Sequence, residues 1–187
     1  MDPRVAIFAR APIVGKVKTR LAESIGSVNA LACYSSMLAR TIEAVADFNS
    51  ELWIEGSMED DSWTMGLNTH SQVPGDLGSK MLDAFRDGVT LIVGADVPLL
   101  SKNHIEDAIN KLEKSDLVLG PTEDGGYYLI AMRTPRTALF EDIHWGSDNV
   151  LTETLKKAQS LSVERTETLW DVDDSKDYRR WLKTIAS

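Results

Sequence analysis

The 187-residue chain has one cysteine, three histidines and no apolar run approaching the ~20 residues of a membrane span. Each shortage excludes something. A lone Cys33 rules out an internal disulfide framework and fits a reducing compartment. His70, His104 and His144 are scattered and Cys33 sits inside a helical pattern, so no zinc-ligand spacing is present. The opening "MDPRVAIFARAP" lacks the charged start, long apolar run and small-residue cleavage site of a secretory signal. A cytoplasmic protein without membrane insertion is therefore expected. Positive charge is also short: 20 Lys and Arg against 29 Asp and Glu leave a formal net charge of −9, which disfavours general binding to nucleic acid or anionic membrane. Two phosphate-binding signatures are missing. The P-loop pattern fails at Arg10 and again at Val17, which follows Lys16, and G-x-G-x-x-G is absent; this argues against a P-loop NTPase and a nicotinamide dehydrogenase. No EF-hand spacing exists either.

What is there is an alternation of β-rich and helical patterns without repeat or linker. "RVAIFA" (4–9), "ELWIEG" (51–56), "TLIVGAD" (90–96), "SDLVLGP" (115–121), "YYLIAM" (127–132) and "SVERT" (162–166) read as strands. Helical spacing runs over 29–48, where Leu31, Tyr34, Leu38, Ile42 and Val45 share a face, and over 77–89, 101–114, 148–161 and 174–186. Ser101 is a candidate N-cap. The strand "TLIVGAD" is apolar throughout, as in the buried centre of a parallel sheet. Such alternation predicts one α/β domain over residues 1–187, a three-layer α/β/α sandwich around a mostly parallel, doubly wound sheet. Ligands of such sheets sit beyond the carboxyl ends of the strands, and there the chemistry-bearing residues gather.

After the first strand comes "FARAPIVGKVKTRL" (8–21). From Pro3 to Ala22 there are five Lys or Arg and no acid. Arg10, Lys16, Lys18 and Arg20, with Gly15 shaping the backbone, can converge on an anion with several oxygens, and Arg20 can hold it bidentately. A polyphosphate is the natural ligand; a solvated loop that offsets nearby carboxylates is the alternative. Asp96 ends the apolar strand, where a lone carboxylate is costly to bury. It suits a hard divalent cation bridging phosphates, Mg²⁺ or Mn²⁺, or else a helix cap. In "WDVDDSKDY", Asp174 or Ser175 suits a cap and Asp177 the first helical turn. That leaves Asp171 and Asp173 on one side of an extended segment, where one of them could complete a metal site with Asp96.

"GPTEDGGYYLI" offers Asp124 to orient a hydroxyl or join the metal shell, Gly125 and Gly126 for close backbone approach, and Tyr127 for an acceptor pocket; a tight turn explains the glycines equally well. "GDLGSKM" places Gly78 at a helix start suited to a base or ribose edge, or to a plain cap. "HWGSDNVL" adds Trp145 and Ser147 as acceptor-pocket candidates, or a helix start with Trp145 as packing.

Taken together, "FARAP…GKVKTRL", "GDLGSKM", "GADVPLL", "GPTEDGGYYLI", "HWGSDNVLTET" and "DVDDSKDY" resemble, in the same order and over nearly the whole chain, bacterial glycosyltransferase-like proteins. These are associated with radical-SAM or selenium gene neighbourhoods and belong to the nucleotide-diphospho-sugar transferase (GT-A, Rossmann-like) superfamily. The chain is more distantly similar to 2-phospholactate and molybdenum-cofactor guanylyltransferases. The resemblance implies triphosphate or pyrophosphate contact by Lys18 and Arg20, a metal at Asp96 and Asp173 as second ligand. Lys80 departs from it, since related proteins often carry Arg there. The expectation is a Mg²⁺-dependent (or Mn²⁺-dependent) nucleotidyltransferase or glycosyltransferase, with Lys18, Arg20 and Asp96 as its catalytic residues. Its ligands are a nucleotide or NDP-sugar and a small acceptor, and it works as a monomer or homodimer. A nucleotide- or NDP-sugar-binding module without turnover is the alternative.

Overall fold

The structure, a computed structural model, describes residues 3–56 and 60–185. Seven strands form one sheet: β1 (Arg4–Arg10), β2 (Asn49–Glu55), β3 (Asn68–Ser71), β4 (Leu91–Gly94), β5 (Leu117–Pro121), β6 (Tyr127–Met132) and β7 (Val163–Arg165), in the order β3-β2-β1-β4-β6-β5-β7. Every pairing is parallel except those of β6, which runs antiparallel to both β4 and β5. The sheet is thus the mostly parallel, doubly wound one that the alternation predicts. The reversal of β6 follows from the short 122–126 connection, since a parallel crossover needs a dozen residues or more.

Six helices accompany it among the described residues: α1 (Thr19–Ile25), α2 (Ser27–Ala44), α3 (Leu77–Arg86), α4 (Lys102–Leu112), α5 (Val150–Lys157) and α6 (Ser175–Ile185). Alternation along the strands divides the core. Val5, Ile7 and Ala9 of β1, with Leu52, Ile54, Leu91 and Val93, pack against Tyr34, Leu38 and Ile42 of α2 and Ile105, Ala108 and Leu112 of α4. The opposite face, with Ala6, Ile92, Leu117, Leu119 and Ile130, packs against Met81, Leu82 and Phe85 of α3 and Leu151 and Leu155 of α5. A third cluster joins Leu21 of α1, Ala30, Cys33 and Met37 of α2, Trp170, Val172 and Trp181 of α6. Helix α2 therefore serves two cores with two faces, as its length and spacing allow. None of the described helices is long and apolar enough to cross a membrane.

Differences from the sequence expectations have local causes. The α2 pattern begins at Ser27 and stops at Ala44, because residues 45–48 turn to feed β2. Strand β4 leaves the β1 ladder at Gly94, which frees Asp96 from pairing. Helix α3 ends at Arg86 and α5 spans only Val150–Lys157. Residue 186 of the expected last helix lies outside the described residues. The polar edge strand β3 and the seven-residue α1 carry too little apolar periodicity to be read from sequence.

At the amino ends of the central strands, Arg4 donates to Glu51 Oε1 at 2.9 Å, and Trp53 Nε1 donates to the same oxygen at 2.8 Å. Glu51 is buried, with its side chain 9% exposed. Removing the cation leaves a buried carboxylate to Trp53 Nε1 and to His70 Nε2, 3.5 Å from Oε2, which costs more than the pair itself contributes. Arg4→Met should therefore lower the unfolding free energy in urea by about 2–3 kcal/mol. A loss below about 0.5 kcal/mol would place Arg4 among solvent-screened surface pairs.

Candidate functional site

The site forms where β1, β4 and β5 end. Tyr34 of α2 pins the exit of β1: its hydroxyl accepts from the Arg10 amide at 2.8 Å and donates to the Arg10 carbonyl at 3.0 Å. From there the chain makes an exposed tip at residues 13–16, anchored on either side by buried Ala11 and Val17. Gly15 takes φ +76° at the tip, in open space. Lys18 then caps α1 in the left-handed region, φ 46° and ψ 48°, which is uncommon for a residue with a Cβ. Its side chain turns inward, only 8% exposed.

The acids arrive from two other segments. Asp96 follows β4 through buried Ala95, and Gly94 leaves room for its carboxylate: a Cβ there would lie 3.2 Å from Asp96 Oδ1. At the end of β5, Leu169 makes a parallel bridge with Thr122, and residues 170–173 continue past it toward Asp96. The Val172 amide donates to the Asp96 carbonyl at 3.3 Å. Trp170 and Val172 bury on one side of this segment, and the alternation puts Asp171 and Asp173 on the other. The start of α6 secures the end of the segment. Asp174 accepts from the amides of Lys176 and Asp177, and Asp177 accepts in return from the amides of Asp173 and Asp174. Arg180 braces it from outside, 4.2 Å over the Trp170 ring and paired to Glu123 through both carboxylate oxygens.

Asp96, Asp171 and Asp173 each bring one carboxylate oxygen within 4.8 Å of the others. Lys18 Nζ sits against two of them, 2.9 Å from Asp96 Oδ2 and 2.8 Å from Asp173 Oδ1. Burial alone would pull the Lys18 ammonium down, but Asp96 and Asp173 outweigh it and hold its pKa above the usual value. Asp171 moves the other way. Burial, followed by the charges of Asp96, Asp124 and Asp173, pushes it up to about 7 despite Lys18. An all-carboxylate donor set suits a hard cation such as Mg²⁺ or Mn²⁺. Octahedral donors at 2.1 Å from an ion stand about 3–4.2 Å apart, so the three carboxylates themselves need only small rotations.

The remaining sequence candidates are distributed around this centre. Arg20 is 75% exposed with Nη1 3.8 Å from Asp173 Oδ2. Lys16 is exposed on the tip. Arg10 pairs with Glu55 at the end of β2, and Lys80 of α3 pairs with the same carboxylate. Glu55 was not among the sequence candidates; its place at the carboxyl end of a strand beside β1 was the available signal. The stretch 8–21 contains no acid, yet Arg10, Lys18 and Arg20 are each paired by acids from distant parts of the chain.

On the other side, the Gly126 amide donates to Asp124 Oδ1 at 3.1 Å, so Asp124 closes the turn into β6 and lies outside the acidic triad. A Cβ on Gly125 would fall 2.0 Å from the Asp148 carbonyl oxygen. The close approach that requires this glycine is therefore to the protein's own backbone, and it ties the 122–126 turn to the 144–149 segment. Trp145 covers Gly78, where a Cβ would meet the indole at 2.7 Å, and its ring meets Tyr127 edge-on at 6.5 Å. Ser147 accepts from the Asn149 amide at 3.3 Å. Gly78, Gly125, Tyr127 and Trp145 thus have packing roles in this wall of the site.

Residues 38–147 match DUF2064, a family described as "Uncharacterized protein conserved in bacteria". The chain belongs to the DUF2064 family. Asp96, Asp124 and Trp145 fall inside the matched segment, and Lys18, Arg20, Asp171 and Asp173 outside it. A Desulfovibrio desulfuricans G20 protein provisionally named a nucleotide-diphospho-sugar transferase superposes with a TM-score of 0.82 at 30% identity, covering 93% of this chain and 84% of that one. The fold of this DUF2064 chain is thus the Rossmann-like fold of the nucleotide-diphospho-sugar transferases. Rv0371c of Mycobacterium tuberculosis H37Rv, solved with manganese, shares the fold at TM-score 0.59 and 16% identity, over 98% of this chain and all of the other. A 2-phospho-L-lactate guanylyltransferase of Methanocaldococcus vulcanius is 41% identical over 44 residues, 24% of this chain and a fifth (20%) of the relative's length.

The raised Asp171 pKa has a measurable consequence. Its folded-state value near 7 exceeds the ordinary 3.8, so the folded chain binds this proton more tightly than the unfolded one. The group's contribution to stability is complete below about pH 4 and is lost as the pH rises through 7. Asn cannot titrate. In chelator, the Tm difference between Asp171→Asn and wild type should be more positive at pH 8 than at pH 5; the opposite trend would mean that Asp171 ionises freely in the folded chain.

Proposed function

We propose that this chain is a divalent-metal-dependent nucleotidyltransferase: it binds a nucleoside triphosphate, transfers the nucleotidyl group to a small acceptor and releases pyrophosphate. One observation carries the reading. Three carboxylates from two separate segments, Asp96 after β4 and Asp171 and Asp173 before α6, converge at the carboxyl edge of the sheet, directly beneath the chain's densest run of cations. An acidic triad beside a basic loop is what a polyphosphate chain and its counter-ion require together. The similarity to a guanylyltransferase and to a nucleotide-diphospho-sugar transferase supports the same chemistry.

In this reading, Lys16, Lys18 and Arg20 hold the phosphate oxygens of the leaving group, with Gly15 allowing the tip to close over them. Arg10 and the start of α3, where Leu77 is exposed beside the covered Gly78, form the nucleoside side. Asp124, Ser147 and the Gly125–Gly126–Tyr127–Trp145 wall line the acceptor side. An acceptor oxygen attacks the α-phosphorus while the bond from that phosphorus to the pyrophosphate oxygen breaks. The chain's task is to align the two and stabilise the charge gathering on pyrophosphate, not to form a covalent intermediate. Asp96, Asp171 and Asp173 would hold Mg²⁺ or Mn²⁺, which neutralises phosphate charge. Sugar transfer from an NDP-sugar is the second reading, favoured by the name of the Desulfovibrio relative. The same parts would then hold the nucleoside diphosphate as leaving group.

Incubation with the four nucleoside triphosphates, Mg²⁺ and a panel of small acid and phosphorylated acceptors should release pyrophosphate. Consumption of NDP-sugars without pyrophosphate would select the second reading, and saturable nucleotide binding without turnover a binding module. In the productive reaction, Asp96→Asn should lower turnover by on the order of 10²-fold while leaving the Tm within a few degrees of wild type. Unchanged turnover would remove Asp96 from the chemistry.

A further inference from the structure

The Lys18 ammonium occupies the ground that the proposed ion needs. It is seated between Asp96 and Asp173, two of the three carboxylates that could coordinate a cation, at 2.9 and 2.8 Å. It is nearly sealed from water, whereas Asp96 and Asp173 keep 39% and 45% of their side-chain surface exposed. The acids are open to solvent on one side and plugged by an amine on the other.

We propose that Lys18 is a built-in counter-ion that exchanges with the metal. In the free chain it neutralises Asp96 and Asp173; when a divalent ion takes those carboxylates, the amine swings out and becomes the ligand of the substrate's phosphates. The inference rests on the metal–polyphosphate reading of this site. Its first support is charge. Three acids face one ammonium here, and a divalent ion added with the amine in place would put two positive centres on the same carboxylate oxygens, a few ångströms apart. Its second support is the backbone. With Lys18 in the left-handed conformation, this one cation of the loop turns inward, while Lys16 and Arg20, on either side, remain exposed. Buried Val17 and Leu21 hold the main chain on both flanks, so the move falls to the flexible four-carbon stem. The third is the nature of the group. An ammonium is a compact point charge that can change partners without the planar docking a guanidinium demands.

The consequence is coupling. Metal alone must displace Lys18 with nothing to receive the amine, so it binds weakly. A polyphosphate supplies oxygens for Lys18 and at the same time leaves the carboxylates to the ion. Each ligand therefore raises the affinity of the other by the same factor.

The position of the amine can be read directly on wild-type protein. Acetic anhydride labelling at pH 8, quantified at Lys18 by peptide mass spectrometry, is followed without metal, with saturating Mg²⁺, and with Mg²⁺ plus inorganic tripolyphosphate. Exposed Lys114 serves as the internal control. Exchange predicts a rise in Lys18 labelling of tenfold or more with Mg²⁺ and renewed protection with tripolyphosphate, at constant Lys114 labelling. Mn²⁺ binding, followed by electron paramagnetic resonance on wild type and Lys18→Met, separates the ways of failing. Mn²⁺ bound to wild type with Lys18 still protected overturns the exchange and leaves the metal site standing. Mn²⁺ bound by neither protein overturns the exchange by removing the metal site itself. Mn²⁺ bound more tightly by Lys18→Met than by wild type, with tripolyphosphate raising the wild-type affinity, supports it.

Discussion

The pairing of one lysine ammonium with carboxylates from distant parts of the chain is the interaction on which this structure turns. Lys18 reaches Asp96 across 78 residues and Asp173 across 155. Three acids so close together repel one another, and without a cation among them the carboxyl edge of the sheet would be strained. Much of the architecture can be traced to holding this cluster. Tyr34 fixes where β1 ends. Gly94 makes room for Asp96, and the Val172 amide binds the carbonyl of Asp96. The hydrogen bonds at the start of α6 fix the backbone of Asp173 and Asp174. The small core of Leu21, Cys33, Trp170, Val172 and Trp181 lies under the same residues and gives them a rigid floor. Burial also pushes the Cys33 thiol up to about 11, so it behaves there as a packing group.

The charge distribution points to the same chemistry. A chain with net charge −9 repels polyanions over most of its surface, while the acid-free loop above the acidic triad carries four of its cations, Arg10, Lys16, Lys18 and Arg20. A bare polyphosphate would be attracted by the loop and repelled by the acids beneath it. On the proposed reading, a ligand that brings phosphate and a cation together satisfies both layers. That requirement links the basic loop, the triad and the nucleotide-diphospho-sugar transferase fold in one account.

The parts of this arrangement legible in the sequence are those written as pattern. Apolar strands alternating with amphipathic helices specify a doubly wound sheet, and the sheet specifies the edge at which the candidate site forms. The segment "WDVDD" displays its two-residue period openly, with Trp170 and Val172 apolar between the acids, so Asp171 and Asp173 could be placed on one side before any coordinates. Tertiary choices were not legible. Gly125 and Gly126 announce a close backbone approach, but sequence does not say whether the approaching group is a ligand or the chain's own Asp148 carbonyl. Trp145 and Gly78, far apart in sequence, are one packing unit. The run from Phe8 to Leu21 contains no acid, and nothing local reveals that Glu55, Asp96 and Asp173 come to it from elsewhere. β3 was missed because four polar residues at a sheet edge need only backbone pairing.

The central claim is that Asp96, Asp171 and Asp173 form a divalent-ion site that works with the basic loop on a nucleotide's phosphates. Anomalous diffraction at the manganese edge, from crystals grown with Mn²⁺ and a non-hydrolysable nucleoside triphosphate, tests it most directly. The account predicts one strong peak within bonding distance of all three carboxylates, about 2.1–2.3 Å, with the phosphates between that peak and Lys18, Lys16 and Arg20. A phosphate chain bound elsewhere, or a triad holding only Lys18 at saturating Mn²⁺, would contradict it.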